Sequence, residues 1–231
     1  MERKVVITAD GSSTIHLPEW DEQYHSKHGA IQEAYHVFIK HGLHYYCSPE
    51  CHLERSREVD HEIKILEIGF GTGLNAFITL LEAEKSKIKI DYVGVEGYPV
   101  AMNEIKQLNY PTQLKVETNE ALFKTMHEVS WEAQHTISNN FSLTKQNRFF
   151  SEIADEELYN LIYFDAFGAR VQPELWTETI FQKMYDALKE NGVLVTYAAK
   201  GSVRRAMQAV GFLVEKLPGP PGKREMLRAT K

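Results

Sequence analysis

The chain has 231 residues, 43% of them hydrophobic and 25% charged, with a net charge of −6. That suits one α/β domain with an appendage, and the balance is ordinary for a soluble globular protein. No apolar run reaches the ~18 residues of a membrane span, Met1-Glu2-Arg3-Lys4-Val5 carries no apolar signal segment, and two cysteines make no disulfide scaffold, so a cytoplasmic protein that engages no membrane is expected.

Residues 4–17 alternate in places and break at Asp10-Gly11, a hairpin signal. Pro18-Glu19-Trp20-Asp21 reads as a turn. A helical pattern follows from about Ala30 to His41, with Ile31, Ala34, Tyr35, Phe38 and Ile39 spaced for one buried face. Residues 42–61 are polar and irregular. Within them His44, Cys47, Cys51 and His52 offer four zinc-type ligands. Their spacing is not that of a standard finger, buried thiols explain the cysteines equally well, and no metal is assigned.

A strand at 63–68 then runs into Gly69-Phe70-Gly71-Thr72-Gly73, and a helix spans 73–84. Glycines remove the Cβ atoms that would keep a ligand from the backbone. The helix start aims free N–H groups at that ligand. A dinucleotide turn wants its third glycine one residue later, where Leu74 stands. The pattern Glu67-x-Gly69-x-Gly71-x-Gly73 resembles motif I of S-adenosylmethionine (SAM) dependent methyltransferases. A strand at 90–96 ends in Glu96, placed to accept both hydroxyls of a ribose. Outside that context the glycines are turn residues and Glu96 a solvated strand end.

A second helix covers 99–108, and 109–140 exceeds a usual connection, so it reads as a partly helical insertion. Strand 141–146 follows. Strand 161–164 ends at Asp165. Pro173-Glu174 opens a helix to about Lys189, which Asn191-Gly192 ends. After a strand at 192–198, Ser202 caps a helix over 203–210 and Gly211 stops it. Residues 212–215 and 226–229 flank Pro218-Gly219-Pro220-Pro221-Gly222 and resemble the closing antiparallel hairpin of the methyltransferase sheet. The expected fold is α/β and Rossmann-like, of SAM-dependent class I. It has a mostly parallel seven-stranded sheet with an antiparallel last strand. An N-terminal hairpin and helical cap (1–61) precedes the methyltransferase domain (62–231).

Asp165 stands where ligands of open α/β sheets bind, outside the carboxyl end of a strand. An alkylamine, with a pKa of about 10.4, arrives protonated, and methylation requires its lone pair. A carboxylate beside an aromatic, Phe167, can align such an amine and pass its proton to water; a cap or turn acid is the plain alternative. The acidic total hides a basic end: Lys200, Arg204, Arg205, Lys216, Lys223, Arg224, Arg228 and Lys231 face only Glu215 and Glu225 over 200–231. Such a stretch either neutralises phosphates or is merely solvated.

Taken in order, four stretches are similar to one family: Tyr24-His25-Ser26 with Gly29-Ala30-Ile31-Gln32-Glu33; Glu67 to Asn75; Phe164-Asp165-Ala166-Phe167 with Pro173-Glu174-Leu175-Trp176; and Val203-Arg204-Arg205 with Gly222-Lys223-Arg224-Glu225. They resemble the methyltransferase component of the bifunctional tRNA 5-methylaminomethyl-2-thiouridine biosynthesis protein, over about residues 10 to 229. The resemblance implies SAM as cofactor and the 5-aminomethyl-(2-thio)uridine at position 34 of tRNA, in the anticodon stem-loop, as substrate. It implies that Glu67, Gly69, Gly71, Gly73, Asn75 and Glu96, with Tyr24 and Ser26 from the cap, hold SAM. Asp165 and Phe167 would be catalytic. Glu33, Arg204, Arg205, Lys223 and Arg224 would meet the substrate. By position alone, Tyr24 is also a possible core aromatic and Glu33 an exposed helix acid, and the basic residues could support the closing hairpin. The family's FAD-dependent oxidoreductase half does not fit in a chain of this length. Two positions depart from the pattern: Ala169 replaces a common proline, and Asn147-Arg148-Phe149-Phe150 lacks the acid that often meets adenine. Rival readings are methyl or aminopropyl transfer to a small free amine, and a non-catalytic SAM- or RNA-binding module.

Overall fold

The computed structural model describes residues 2–48 and 62–231. A three-stranded antiparallel sheet opens the chain: β1 (Lys4–Ile7), β2 (Ser13–Leu17) and β3 (Glu22–Gln23), in the order β1-β2-β3. The β1–β2 hairpin turns at Asp10-Gly11, where Gly11 has φ +83°. Asp10 Oδ1 accepts from the Ser12 N–H at 3.1 Å and the Thr8 hydroxyl at 2.8 Å. The helix that follows is α-helical over Ala30–Ala34 and π-helical over Tyr35–His44, so it runs past the expected end at His41. It packs tightly on the main sheet, since a Cβ at Gly42 would stand 3.1 Å from Val195 and 3.2 Å from Tyr163.

The main sheet comprises β4 (Glu62–Ile68), β5 (Lys89–Val95), β6 (Gln134–Ser138), β7 (Phe141–Gln146), β8 (Tyr159–Phe164), β9 (Leu188–Thr196), β10 (Leu213–Pro218) and β11 (Glu225–Thr230). Its order is β10-β11-β9-β8-β4-β5-β7-β6. The five central strands are parallel, while β11 is antiparallel to both β9 and β10. Strands covered on both faces read as continuous apolar runs, and all six residues of β8, Tyr-Asn-Leu-Ile-Tyr-Phe, are buried. The period of two sorts them into two cores. Ile63, Ile65, Leu161, Tyr163, Val193 and Val195 face the N-terminal helix and the helix Leu74–Ser86. Leu66, Ile68, Ile162, Phe164 and Leu194 face the helices Glu178–Ala187 and Gly201–Ala209.

Several expectations are corrected. The sheet has eight strands, not seven, because 109–140 contributes β6, antiparallel to β7 at the edge. The helix expected over 99–108 is helical only at Met102–Ile105, with Glu104 folding back to accept the Ala101 N–H at 2.9 Å. The helix expected over 173–189 is a 3₁₀ turn at Pro173–Trp176 and an α-helix ending at Ala187. Fully buried Leu188 already pairs with Tyr159, so β9 runs through Asn191-Gly192, where its register with β8 shifts. Ser202 lies inside the last helix, whose flanking Lys200 makes no side-chain cap. No helix among the described residues is long and apolar enough to cross a membrane.

Candidate active site

β4 ends in the glycine turn, where Gly69, Gly71 and Gly73 have φ +92°, +51° and +71°. Gly69 is demanded by a close approach: a Cβ there would lie 2.7 Å from the Asp165 carbonyl oxygen. The Gly69 and Phe70 N–H groups both donate to Val95 O at 3.0 Å, fastening the turn to β5. Glu96, one residue beyond β5, accepts from the Gly71 N–H at 3.0 Å and from the Tyr98 N–H at 2.9 Å. Burial raises its pKa against these hydrogen bonds. The insertion braces the turn from behind: Tyr110 donates to Thr72 Oγ1 at 2.9 Å, and the His127 ring stacks edge-on against Phe70.

A cavity of about 1020 Å³ opens over this turn, lined by Gly69 to Thr72, Asn75, Glu96, Tyr98, Tyr24, Asp165 and Phe167 among others. Asp165 follows β8 in register, its N–H donating to Ile68 O at 2.9 Å. Its carboxylate Oδ2 accepts from Asn75 Nδ2 at 2.8 Å, and the same amide donates to Glu67 Oε1 at 2.9 Å. Burial, then the nearby Glu33 charge, pushes Asp165 up to about 7, against the opposing pull of Asn75 and Lys223. Phe167 presents its ring edge-to-face with Tyr24 at 5.0 Å and Trp20 at 5.7 Å. Its loop is clamped, with Trp176 Nε1 donating to Phe167 O at 2.7 Å and the Tyr197 hydroxyl to Ala166 O at 2.8 Å.

The remaining expected residues divide. Glu33 is buried behind the cavity wall, where Glu33 Oε2 accepts the Ser26 N–H at 2.8 Å and Glu33 Oε1 pairs with Lys223. Lys223 also sits 3.7 Å over the Tyr197 ring. Ser26, Glu33 and Lys223 therefore stand behind Asp165 and do not line the cavity. Arg204 is half-buried, while Arg205 and Arg224 are exposed. Asn147 donates to Glu96 O at 2.8 Å, bracing the strand end. Phe149 and Tyr98, 52% and 63% exposed, meet at 5.8 Å on the cavity rim. His44 pairs with Glu82 at 2.9 Å; Cys51 and His52 lie outside the described residues, among which no metal-type cluster occurs. Arg3 and His25 line the cavity without having been singled out. Arg3 donates to Tyr98 O at 2.7 Å, and buried His25, within 3.1 Å of Thr14 Oγ1, is pushed down to about 4 by burial.

SAM presents a ribose diol, an α-ammonium, a carboxylate and a sulfonium, and the residues fit it. Glu96 supplies a half-buried carboxylate for the diol, the glycine turn supplies bare backbone, and Asn75 Oδ1 is a buried acceptor with no partner among the described residues. Residues 124–231 match a family described as S-adenosyl-L-methionine-dependent methyltransferase. The fold is shared with MnmC2 from Aquifex aeolicus, with a TM-score of 0.74 and 24% identity over 99% of this chain and 69% of that one. It is also shared with spermidine synthase from Thermotoga maritima, with a TM-score of 0.51 and 15% identity over 95% and 69%. The fold is that of class I SAM-dependent methyltransferases, and the glycine turn and the family match over residues 124–231 agree on SAM as the cofactor.

The finer resemblance is borne out along nearly the whole chain. The tRNA 5-methylaminomethyl-2-thiouridine biosynthesis bifunctional protein MnmC of Cupriavidus metallidurans is 28% identical over 96% of this chain and 33% of its own length. The protein of the same name from Hydrogenovibrio crunogenus is 29% identical over 90% and 31%. The chain thus spans about a third of the length of these curated relatives.

Proposed function

We propose that the protein methylates the primary amine of 5-aminomethyl-(2-thio)uridine at position 34 of tRNA, giving the 5-methylaminomethyl form. The observation that carries this is Asp165, a half-buried carboxylate held at the cavity edge beside Phe167, in a chain similar over 96% of its length to a protein named for this modification. When bound, SAM supplies an electrophilic methyl group on a sulfonium. Gly69, Gly71, Gly73 and Glu96 hold it, and Tyr24 closes over the turn from the N-terminal cap, residues 1–61. Asp165 accepts a hydrogen bond from the acceptor amine, aligns its lone pair and takes the proton that the amine must shed. A carboxylate with a pKa of about 7 is matched to that exchange at neutral pH. Phe167, Tyr24 and Trp20 keep water from the reacting nitrogen. Arg204, Arg205 and Arg224 lie near the RNA backbone in this reading, and a tRNA substrate places the enzyme in the cytoplasm.

The test is methyl partition. Given methyl-labelled SAM together with undermodified tRNA and a free polyamine, the enzyme should label the tRNA. Label confined to the polyamine would replace this reading with small-amine transfer.

A further inference from the structure

The Asn75 side chain joins three elements. Its amide nitrogen carries two hydrogens, and both are used: one on Glu67 Oε1 from β4 at 2.9 Å, one on Asp165 Oδ2 beyond β8 at 2.8 Å. Glu67 and Asn75 are 1% and 3% exposed, so the bond between them is shielded from water, while the bond to Asp165 reaches the cavity edge. The opposite amide orientation would press Asn75 Oδ1 against two carboxyl oxygens, which fixes the orientation by elimination. Helix Leu74–Ser86 anchors Asn75 in its first turn, and the Asp165 backbone is tied to β4. Nothing in this arrangement depends on a flexible loop.

We propose that Asn75 and Glu67 are positioning residues for Asp165: Glu67 accepts one Asn75 hydrogen and so orients the amide, and that amide holds the Asp165 carboxylate toward the methyl acceptor. This rests on Asp165 serving the acceptor amine as proposed above. A half-buried carboxyl at a cavity edge has freedom to turn or to stay protonated. One donated hydrogen bond opposes both, because it favours the ionised form. Glu67 needs only to accept for the device to work, because Asn75 has a separate hydrogen for each carboxyl group. Burial raises Glu67 well above its ordinary value. The other groups that act on Asp165 are Glu33 from the N-terminal helix and Lys223 from the β10–β11 loop. Burial, then Glu67 and Tyr163 and least of all Asp165, raises Tyr92 on β5, and burial, then Asp165, raises Tyr197 after β9. None of these takes the amide's place. Asn75 itself lines the cavity, and its Oδ1 is buried without a partner among the described residues.

Two readouts test this. Carbon-13 NMR of aspartate carboxyls in the cofactor-free protein, with the Asp165 signal assigned by its absence in Asp165→Asn, gives the titration midpoint directly. The pH profile of kcat/KM on undermodified tRNA gives the acidic limb. Asn75→Leu should move both midpoints upward by about one unit, and Asn75→Ser, which is smaller and polar, should move them less. Glu67→Gln should leave both midpoints in place, because an amide carbonyl still accepts from Asn75. An Asn75→Leu protein that loses activity with neither midpoint moved would overturn the proposal, leaving Asn75 a structural residue. Loss in Glu67→Gln as large as in Asn75→Leu would overturn it as well. Full turnover in Asp165→Asn would instead remove the acceptor reading, and the NMR midpoints would still report on the amide.

Discussion

In the proposed reaction, Asp165 is the residue on which turnover should depend most. Asp165→Asn keeps a group that can accept from Asn75 but cannot take a proton. Turnover should fall by about 100-fold or more, while the affinity for S-adenosylhomocysteine, read by calorimetry, stays within about threefold of the parent's because the glycine turn and Glu96 are untouched. The same variant has a stability signature. A carboxyl raised from 3.8 to about 7 favours the folded state while it is protonated, and that contribution is lost as pH rises through about 7. The variant carries no such charge, so its melting temperature should gain on the parent's between pH 5 and 8 and level off above that. A constant gap across that range would contradict the raised pKa. Gly69→Ala places a Cβ against the Asp165 carbonyl at a φ of +92°. It should cost about 1–3 kcal/mol in a denaturant titration and weaken cofactor binding.

At the scale of elements, the loop after β8 is held by neighbours distant in sequence. Trp176→Phe retains the aromatic contacts with Phe164 and Phe181 but loses the N–H donated to Phe167 O. The expected result is a loss of about 1 kcal/mol in stability, and a rise in KM for the RNA larger than any change in cofactor affinity, checked by steady-state kinetics. This scale also marks what sequence reading reaches. β4, β5, β7 and β8 were legible because buried parallel strands are apolar runs of the right length, and Glu96 and Asp165 were legible because each closes such a run. β6 escaped because Gln-His-Thr-Ile-Ser is an edge strand with one buried residue, Ile137. The true end of the helix at Ala187 escaped because Asn191-Gly192 carries a helix-stop signal that is spent on a register shift inside β9. The Asn75–Asp165 bond spans 90 positions and has no local signature. Arg3, one basic residue just ahead of a short N-terminal strand, had none either.

For the whole molecule, an overall charge of −6 coexists with a basic C-terminal stretch. Its members are used differently. Lys223 is committed to Glu33, Arg228 to Glu215 at 2.9 Å and Lys216 to Glu225 at 2.9 Å. Arg205 and Arg224 stay exposed and are the better phosphate partners. Affinity for tRNA should therefore fall steeply with salt, and replacing Arg205 and Arg224 together by alanine should flatten the slope by about two counterions without altering turnover at saturating RNA. An unchanged slope would remove that face from the RNA contact.

The most direct measurement is the identity of the nucleoside made. tRNA from cells lacking the final methylation, incubated with enzyme and SAM and digested to nucleosides, should show loss of the 5-aminomethyl species and gain of its N-methylated product by mass spectrometry, in the parent and not in Asp165→Asn. An unchanged nucleoside profile with active, SAM-binding enzyme, or a methyl found on ring carbon or ribose, would contradict an amine acceptor at Asp165.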